Sequence, residues 1–325
     1  MELEIMSTRI IKRYSYHKRH LVGLAKYCDW FCFYDRLSNI TKTDEPKIVF
    51  LSHFAISLET KEESILYFIT NHLPKIKNKF ILIIASDDAS FPTGKGNSFN
   101  YYENIQEHVN KLINHEMIIK IFVENLDTIH DKLIPLPLGV LTAYGKDIYY
   151  NDLINQKELI KQERSINVLC CHKTYQEPHL EFLLPPCKPW KDRQRFDESC
   201  SDEPLKSIIT NIPSNLDEEQ YKNKLLDSRF NICIHGGGID PSPKAWQSIL
   251  AGSIPIIQHS TLDASYKKLP VVFVDNFDAD TLTIENLNKW YDELKDYYFD
   301  PIKRKEVLYK LSVQYWLSEI KSHLD

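Results

Sequence analysis

The stretch Arg229–Asp275 decides the fold, and it reads RFNICIHGGGIDPSPKAWQSILAGSIPIIQHSTLDASYKKLPVVFVD. The apolar run Phe230–Ile234 leads into three glycines, and the amphipathic segment Lys244–Ala251 follows them. Two further apolar runs, Ile254–Ile257 and Val271–Val274, complete the stretch. This order predicts strand, glycine turn, helix, strand, connection and strand, which is half of a parallel α/β sheet.

The start and end of the predicted helix carry the expected signals. Ser242 can cap the helix by accepting from a first-turn amide, and Pro243 suits the first helical position. Gly252 can end the helix in a left-handed conformation. Lys244 and Gln247 are three residues apart on its polar side. Free amides, the positive end of the helix dipole and a lysine together suit a diphosphate.

The glycines Gly236, Gly237 and Gly238 form the candidate lip of that diphosphate site. They fit neither the GxGxxG pattern of dinucleotide-binding proteins nor the phosphate-loop pattern GxxxxGK[ST]. A simple nucleotide-triphosphatase is therefore not indicated. The alternative is that three glycines form a turn and bind nothing.

Composition places the chain among ordinary globular proteins. Its 325 residues are enough for two domains, with 43% hydrophobic and 26% charged residues. The net charge of −5 gives no electrostatic reason to expect a nucleic-acid partner. The basic run Arg9–His20 is better explained by a solvated helix face than by an anionic surface partner.

The compartment is expected to be the cytoplasm. No apolar stretch approaches the ~20 residues needed to span a bilayer, and charges interrupt the first 30 residues where a secretory signal would need an apolar core. The seven cysteines are an odd number and do not indicate a disulfide framework. They also lack paired zinc spacing, so no metal site is predicted.

Outside the opening stretch, apolar runs alternate with helical periodicity, which is typical of parallel βαβ units. Further strands are predicted at Lys47–Leu51, Phe80–Ala85, Ile118–Val123 and Ile166–His172. Leading helices are predicted within residues 1–45, a linker at Tyr144–Ser165, an irregular proline-rich segment at Glu177–Glu203 and a long last helix at Lys303–Lys321.

Polar side chains follow two of these strands directly. His53 comes after the first strand, and Asp87 and Asp88 come after the second. Ligands of open parallel sheets bind beyond the carboxyl ends of the strands, so these three residues are expected at the rim of the first domain. The alternatives are a turn or cap role for the aspartates and a structural role for the histidine.

The combination of GGGID, WQSILAGSIPII and LPVVFVD within about 50 residues resembles the carboxyl-terminal half of exostosin-like glycosyltransferases, which are GT-B enzymes of family 47. The segment Asn125–Val140, NLDTIHDKLIPLPLGV, is similar to the proline-rich passage that precedes the second domain in that family. Outside these two segments the chain agrees with the family only in outline.

The resemblance implies an α/β GT-B fold, with two Rossmann-like domains of parallel sheets facing across a cleft. It implies an acceptor-side domain at residues 1–145 and a nucleotide-sugar-binding domain at 146–300. Residues 301–325 would form a C-terminal helix that packs back on the first domain. The implied activity is transfer of a sugar from a UDP- or GDP-type donor to a glycan, with inversion and without a metal or other cofactor.

The resemblance also implies roles for individual residues. Lys244, with Arg229 or His235, would neutralise charge on the leaving diphosphate. Asp240 would hold the loop or touch donor hydroxyls, and Gln247 stands where the family usually has a glutamate that contacts ribose. The donor-binding candidates are therefore Arg229, His235, Gly236, Gly237, Gly238, Asp240, Ser242, Lys244 and Gln247.

The catalytic base is open between three residues. An inverting transfer needs a group that takes the proton of the acceptor hydroxyl, and Asp87, Asp88 and His53 are the candidates. Two other functions remain open: a nucleotide-sugar epimerase on the same fold, and an inactive binding module, for which the glutamine at position 247 is the main argument. The oligomeric state and the identity of the sugar are not predicted.

Overall fold

The computed structural model describes residues 3–8, 21, 23–33, 35–53, 64–95, 102–140, 163–172, 188–212, 216–241 and 243–324. The chain divides into two compact units. Unit 1 contains Met1–Lys146, the short segment Gly238–Asp240 and the C-terminal Ser312–Asp325. Unit 2 contains Asp147–Gly237 and Pro241–Leu311.

Unit 1 is built on one sheet, which has six strands in the described part of the chain, in the order β2-β1-β3-β4-β5-β6. Neighbouring strands are parallel except for the antiparallel pair β1 and β2. The two central strands of the order, β3 and β4, are buried along their whole length, as expected for parallel strands covered on both faces. The strands are β1 (Trp30–Phe33), β2 (Arg36–Asn39), β3 (Ile48–Ser52), β4 (Phe80–Ala85), β5 (Ile118–Val123) and β6 (Leu133–Pro135).

The first strands correct the sequence prediction of leading helices. Trp30, Phe31 and Cys32 are buried in β1, which pairs with β2 across two intervening residues. Aromatic side chains suit a half-buried pleated surface, and this preference prevails here. The basic run Arg9–His20 lies outside the described residues.

The described helices of unit 1 before its C-terminal segment are mostly short. The α-helix α1 spans Gln106–Ile113, and residues 64–67 are helical. Shorter turns of helix are Gly23–Tyr27, Phe68–His72, Leu73–Lys75 and Glu103–Ile105.

Unit 2 is built on a second sheet, five-stranded within the described ranges, in the order β11-β10-β9-β7-β8. All of its strand pairs are parallel. Its centre is β9, the strand of the opening stretch, which lies between β10 and β7. The strands are β7 (Ile166–Cys170), β8 (Ile209–Asn211), β9 (Ser228–Ile232), β10 (Ile254–Gln258) and β11 (Val272–Val274).

The helices of unit 2 include one that the sequence did not predict. The helix α2 covers Lys188–Ser199 inside the segment Glu177–Glu203, which the prolines had indicated to be irregular. Pro189 is the second residue of α2, and proline is tolerated in a first helical turn because the N–H it lacks would have no partner there. The others are α3 (Leu205–Ile208), α4 (Glu218–Leu226), α5 (Pro243–Leu250), α6 (Asp263–Tyr266), α7 (Ile284–Leu294), α8 (Asp296–Phe299) and α9 (Pro301–Lys310).

The last segment is two helices rather than the single predicted one. After α9 the chain turns at Leu311, and α10 covers Val313–Lys321. Ser312 caps α10 by accepting from the amide of Tyr315 and also bridges to Ile5. A new N-cap in the middle of the predicted helix explains the break.

The α/β class and the two parallel-sheet units predicted from the sequence are confirmed. Within the described residues, none of the helices is both long and apolar enough to cross a bilayer.

Candidate functional site

Helix α5 lies against β9 and is fixed at both ends. Asn231 of β9 donates to the Ser248 hydroxyl (2.8 Å), which donates to the Lys244 carbonyl (2.6 Å). At the other end Gly252 has φ +71°, and the amides of Gly252 and Ser253 bond the carbonyls of Ile249 and Ser248. This is a Schellman ending, so the predicted roles of Pro243 as first helical residue and Gly252 as terminator agree with the structure.

The amine of Lys244 is the most unusual group in unit 2. Although the residue as a whole is partly exposed, its Nζ atom is shielded from solvent and has no hydrogen-bond partner among the described residues. Burial, and then the nearby positive charge of Arg193, lower the pKa of Lys244 to about 7. A buried ammonium without a partner is costly, so this arrangement indicates a binding site for an anion.

Arg193 is the second cation of this cluster. It comes from α2, is 6% exposed and donates from Nη2 to the carbonyl of Ile234 (3.2 Å), two residues beyond the end of β9. The position of a Cβ on Gly236 would lie 3.3 Å from the same Nη2 atom. Arg193 therefore lies directly against the first glycine of the loop.

Three thiols and a histidine surround the two cations. The thiols of Cys170, Cys171 and Cys233 are buried, and burial raises the pKa of each, so they are neutral. Burial, only partly opposed by a hydrogen bond to Asp197, lowers the pKa of His172. The two cations therefore lie among neutral thiols and a histidine whose lowered pKa favours its neutral form.

Cys170, His172 and Asp197 also lie close enough to be considered as metal ligands. His172 contacts Asp197 through Nε2 (3.0 Å) and Cys170 through Nδ1 (3.4 Å), so the two partners face opposite nitrogens of one ring. A metal ion can be bound by only one of these nitrogens, and Lys244 and Arg193 repel divalent cations. The contacts therefore favour a Cys170–His172–Asp197 cluster next to an anion site rather than a metal site.

The second half of the glycine loop has a different neighbour. A Cβ on Gly238 would lie 2.4 Å from Oδ1 of Asn125, and this oxygen accepts the amides of Ile239 and Asp240 at 2.9 Å each. Asp240 is 3% exposed and accepts the amide of Leu138 (3.2 Å). Of its two predicted roles, the contacts of Asp240 favour holding the loop.

The remaining donor-binding candidates are spread more widely. Arg229 lies near the amino end of β9, 4.0 Å from the ring centroid of Tyr291, and bonds Asn167 and Asn288. The strand separates Arg229 from the loop at its carboxyl end, so Arg229 does not join Lys244. His235 and Gln247 are partly exposed on the loop and on α5, while Ser242 lies outside the described residues.

The three candidate bases all follow their strands as predicted, but their environments differ. His53 is fully buried, and its Nδ1 lies 2.7 Å from the Tyr102 hydroxyl. Asp87 is 6% exposed and accepts the amide of Ala89 (2.8 Å), which is a turn role. Asp88 is exposed. Asp88 is therefore the exposed residue among the three candidates.

Sequence reasoning missed Arg193, His172 and Asn125. Arg193, Phe196 and Cys200 are buried at positions i, i+3 and i+7, a helical spacing that the neighbouring prolines concealed. His172 ends an apolar run, the same signal that had identified His53. Asn125 follows β5 with φ +56°, a conformation in which asparagine is enriched.

Comparison with known proteins gives matches among solved structures. No protein-family model and no curated protein sequence matches the chain. An α1,3-fucosyltransferase is 13% identical over 86% of this chain and 78% of its own, with a TM-score of 0.32. TarM is 9% identical over 87% and 56% respectively, with a TM-score of 0.43.

A third match is the catalytic domain of starch synthase IV from Arabidopsis thaliana, bound to ADP and acarbose. It is 12% identical over 86% of this chain and 73% of its own, with a TM-score of 0.34. All three TM-scores lie below 0.5, so the site is assigned from the residues of this chain alone.

Proposed function

We propose that this chain is a GT-B glycosyltransferase of the exostosin-like type, which moves a sugar from a nucleotide-sugar donor to a glycan acceptor. The proposal includes inversion at the sugar carbon, no requirement for a metal and a cytoplasmic location. The observation that carries it is the buried amine of Lys244, which has no hydrogen-bond partner among the described residues and lies with Arg193 beside the glycine loop. The resemblance of Arg229–Asp275 to the donor half of these enzymes supports the same site.

The two cations would act on the leaving group. As the bond between the sugar carbon and the diphosphate oxygen breaks, negative charge develops on the diphosphate. Lys244 and Arg193 are held in a dehydrated site, where fixed charges stabilise such an anion more than they would in water. The first amides of α5 add the positive end of the helix dipole. These groups supply the charge that a metal ion would otherwise provide.

The proton of the acceptor hydroxyl needs a base, and we propose Asp88 for this role. Asp88 is exposed, whereas Asp87 bonds a backbone amide and His53 is buried against Tyr102. A base has to come within hydrogen-bond distance of a substrate that diffuses in from solvent. Accessibility is the property in which the three candidates differ most.

A panel of UDP-, GDP- and CMP-sugars, each with and without glycan acceptors, tests the function. We expect nucleotide release that depends on an acceptor for at least one donor. Conversion of a nucleotide sugar without any acceptor would instead support the epimerase. Binding without any turnover would support an inactive module. If a thermal-shift screen finds no nucleotide that binds, both enzyme hypotheses are wrong.

The affinity for a nucleotide sugar should fall as the pH rises above 7. Lys244 has a lowered pKa of about 7 in the free protein, and the bound diphosphate favours its charged form. Binding above this pH therefore requires proton uptake, which costs about tenfold in affinity for each further pH unit. Isothermal titration between pH 6 and 9 measures how the affinity changes with pH. In Lys244→Met this pH dependence of the affinity should disappear. An equal slope in both proteins would contradict the assignment.

A further inference from the structure

The contact between Asn125 and the second half of the glycine loop has no role in the chemistry described so far. Asn125 lies two residues beyond the end of β5, and its side chain makes three hydrogen bonds to the backbone. Oδ1 accepts the amides of Ile239 and Asp240, and Nδ2 donates to the Asp87 carbonyl (2.9 Å). Asn125 is fully buried, so these bonds are shielded from competing water.

The third glycine of the loop is required by this contact. Gly238 does not have a positive φ, so its backbone conformation is open to other residues. The obstacle is space: the three atoms nearest to a Cβ on Gly238 all belong to the Asn125 side chain, at 2.4, 2.7 and 2.8 Å. A methyl group there would displace the amide that holds Ile239 and Asp240.

We propose that Asn125 is a positioning residue that fixes the glycine loop in the conformation used to bind the diphosphate. The residues Gly238–Asp240 that Asn125 holds are separated by Gly237 alone from Gly236, which lies against Arg193. Movement of Gly238 is transmitted through one intervening residue to Gly236. This inference rests on the proposed function, since it assigns the loop to a diphosphate.

The bonds to Oδ1 explain why an asparagine stands here. An amide oxygen accepts both backbone N–H groups without burying a charge, while the NH₂ group of the same side chain satisfies a carbonyl. The residue has φ +56°, where asparagine is better tolerated than most non-glycine residues. Glycine is therefore the substitution that removes the side chain without adding backbone strain.

A double-mutant cycle tests the proposal, with UDP and GDP as probes. We expect Asn125→Gly to weaken nucleotide binding about 10- to 30-fold, because two hydrogen bonds to the loop are lost. Gly238→Ala should weaken binding by at least about tenfold. In the Asn125→Gly background the same Gly238→Ala change should have less than about a twofold effect, because the space it needs has been vacated. Equal effects in both backgrounds would overturn the inference.

Asn78→Ala is the matched control. Asn78 bonds the Pro46 carbonyl (2.7 Å) just before β4, in the same unit, and its loss should leave nucleotide affinity unchanged. If Asn125→Gly does not fold, Gly238→Ala retains Asn125 and still tests the loop. A wild-type affinity in Gly238→Ala would contradict the proposal.

Hydrogen exchange separates a failure of this inference from a failure of the proposed function. If the wild type binds neither UDP nor GDP, the diphosphate assignment is wrong. The contact between Asn125 and the loop can still be tested through the exchange rates of the Ile239 and Asp240 amides, which Asn125 accepts. These amides should exchange faster in Asn125→Gly than in the wild type. Unchanged exchange would show that Asn125 does not hold the loop.

Discussion

Lys244→Met is expected to weaken binding of a nucleotide sugar about 100-fold. Truncating one partner of a dehydrated charge contact typically costs about 2–5 kcal/mol, and each 1.4 kcal/mol corresponds to about tenfold in affinity. Methionine preserves the length and the apolar stem of the side chain, so the loss reports the charge. Isothermal titration against the wild type at pH 7 measures it.

The same variant should not lose stability, which separates binding from folding. The pKa of Lys244 is lowered in the folded protein, so between about pH 7 and about pH 10 the unfolded chain holds more protons than the folded one. This group therefore makes the free energy of unfolding rise with pH across that window. Its burial is most costly below pH 7, where both states are charged at this position.

Replacing the lysine removes that cost, so the free energy of unfolding of Lys244→Met should equal or exceed that of the wild type at pH 7. The matched control is Lys289→Met, which changes an exposed lysine of α7 in the same unit. It should alter neither affinity nor stability. A large fall in the melting temperature of Lys244→Met with normal affinity would make Lys244 a structural residue.

Arg304→Met is expected to destabilise the protein by about 3 kcal/mol. Arg304 is 9% exposed and donates to the carbonyls of Ile249 (2.7 Å) and Leu250 (2.6 Å) at the carboxyl end of α5. Loss of the guanidinium leaves two buried carbonyls without these charge-assisted bonds and removes a cation from the negative end of the helix dipole. Urea denaturation measures the change.

Arg195→Met on α2 is the control, because it removes the same charge from an exposed side chain. Its effect should stay within about 0.5 kcal/mol. The free energy of unfolding of Arg304→Lys should lie between those of the wild type and Arg304→Met, because an ammonium group lacks the planar guanidinium fork that reaches both carbonyls. Equal stability of Arg304→Met and Arg195→Met would show that the contacts to α5 contribute nothing.

The elements that the sequence predicted well have an unambiguous local signal. Phe80–Ala85 is a continuous apolar run, and the structure begins and ends β4 at the same residues. The helix α5 is marked by Pro243 at its start and Gly252 after its end, and both lie where predicted. Buried parallel strands and well-terminated helices are determined largely by neighbouring residues, so the pattern alone identifies them.

The site could be predicted only in part, because its members come from separate elements. Lys244 and the glycines were identified, since they lie in one recognisable stretch. Arg193 reaches the same loop from α2, about 40 positions earlier in the chain, and tertiary packing alone brings it there. Arg229 is in the recognised stretch, but it packs on Tyr291 at the other end of β9. Sequence proximity therefore selected one cation that lies away from the loop and omitted another that lies against it.

The glycines illustrate the same limit at the level of single residues. The pattern of three in a row predicted that all would let the backbone approach a diphosphate. Gly238 is instead needed because Asn125 occupies the space of its side chain. Asn125 is more than 100 residues away in sequence, so nothing local to the loop could have indicated this contact.

A crystal structure of the protein with the nucleoside diphosphate that binds most tightly in the thermal-shift screen tests the central claim most directly. We expect phosphate oxygens within about 3 Å of Lys244 Nζ and of the Arg193 guanidinium, beside Gly236, as in charge-assisted hydrogen bonds. A nucleotide bound elsewhere, with the Lys244 amine still buried and in contact with no phosphate oxygen, would contradict the account.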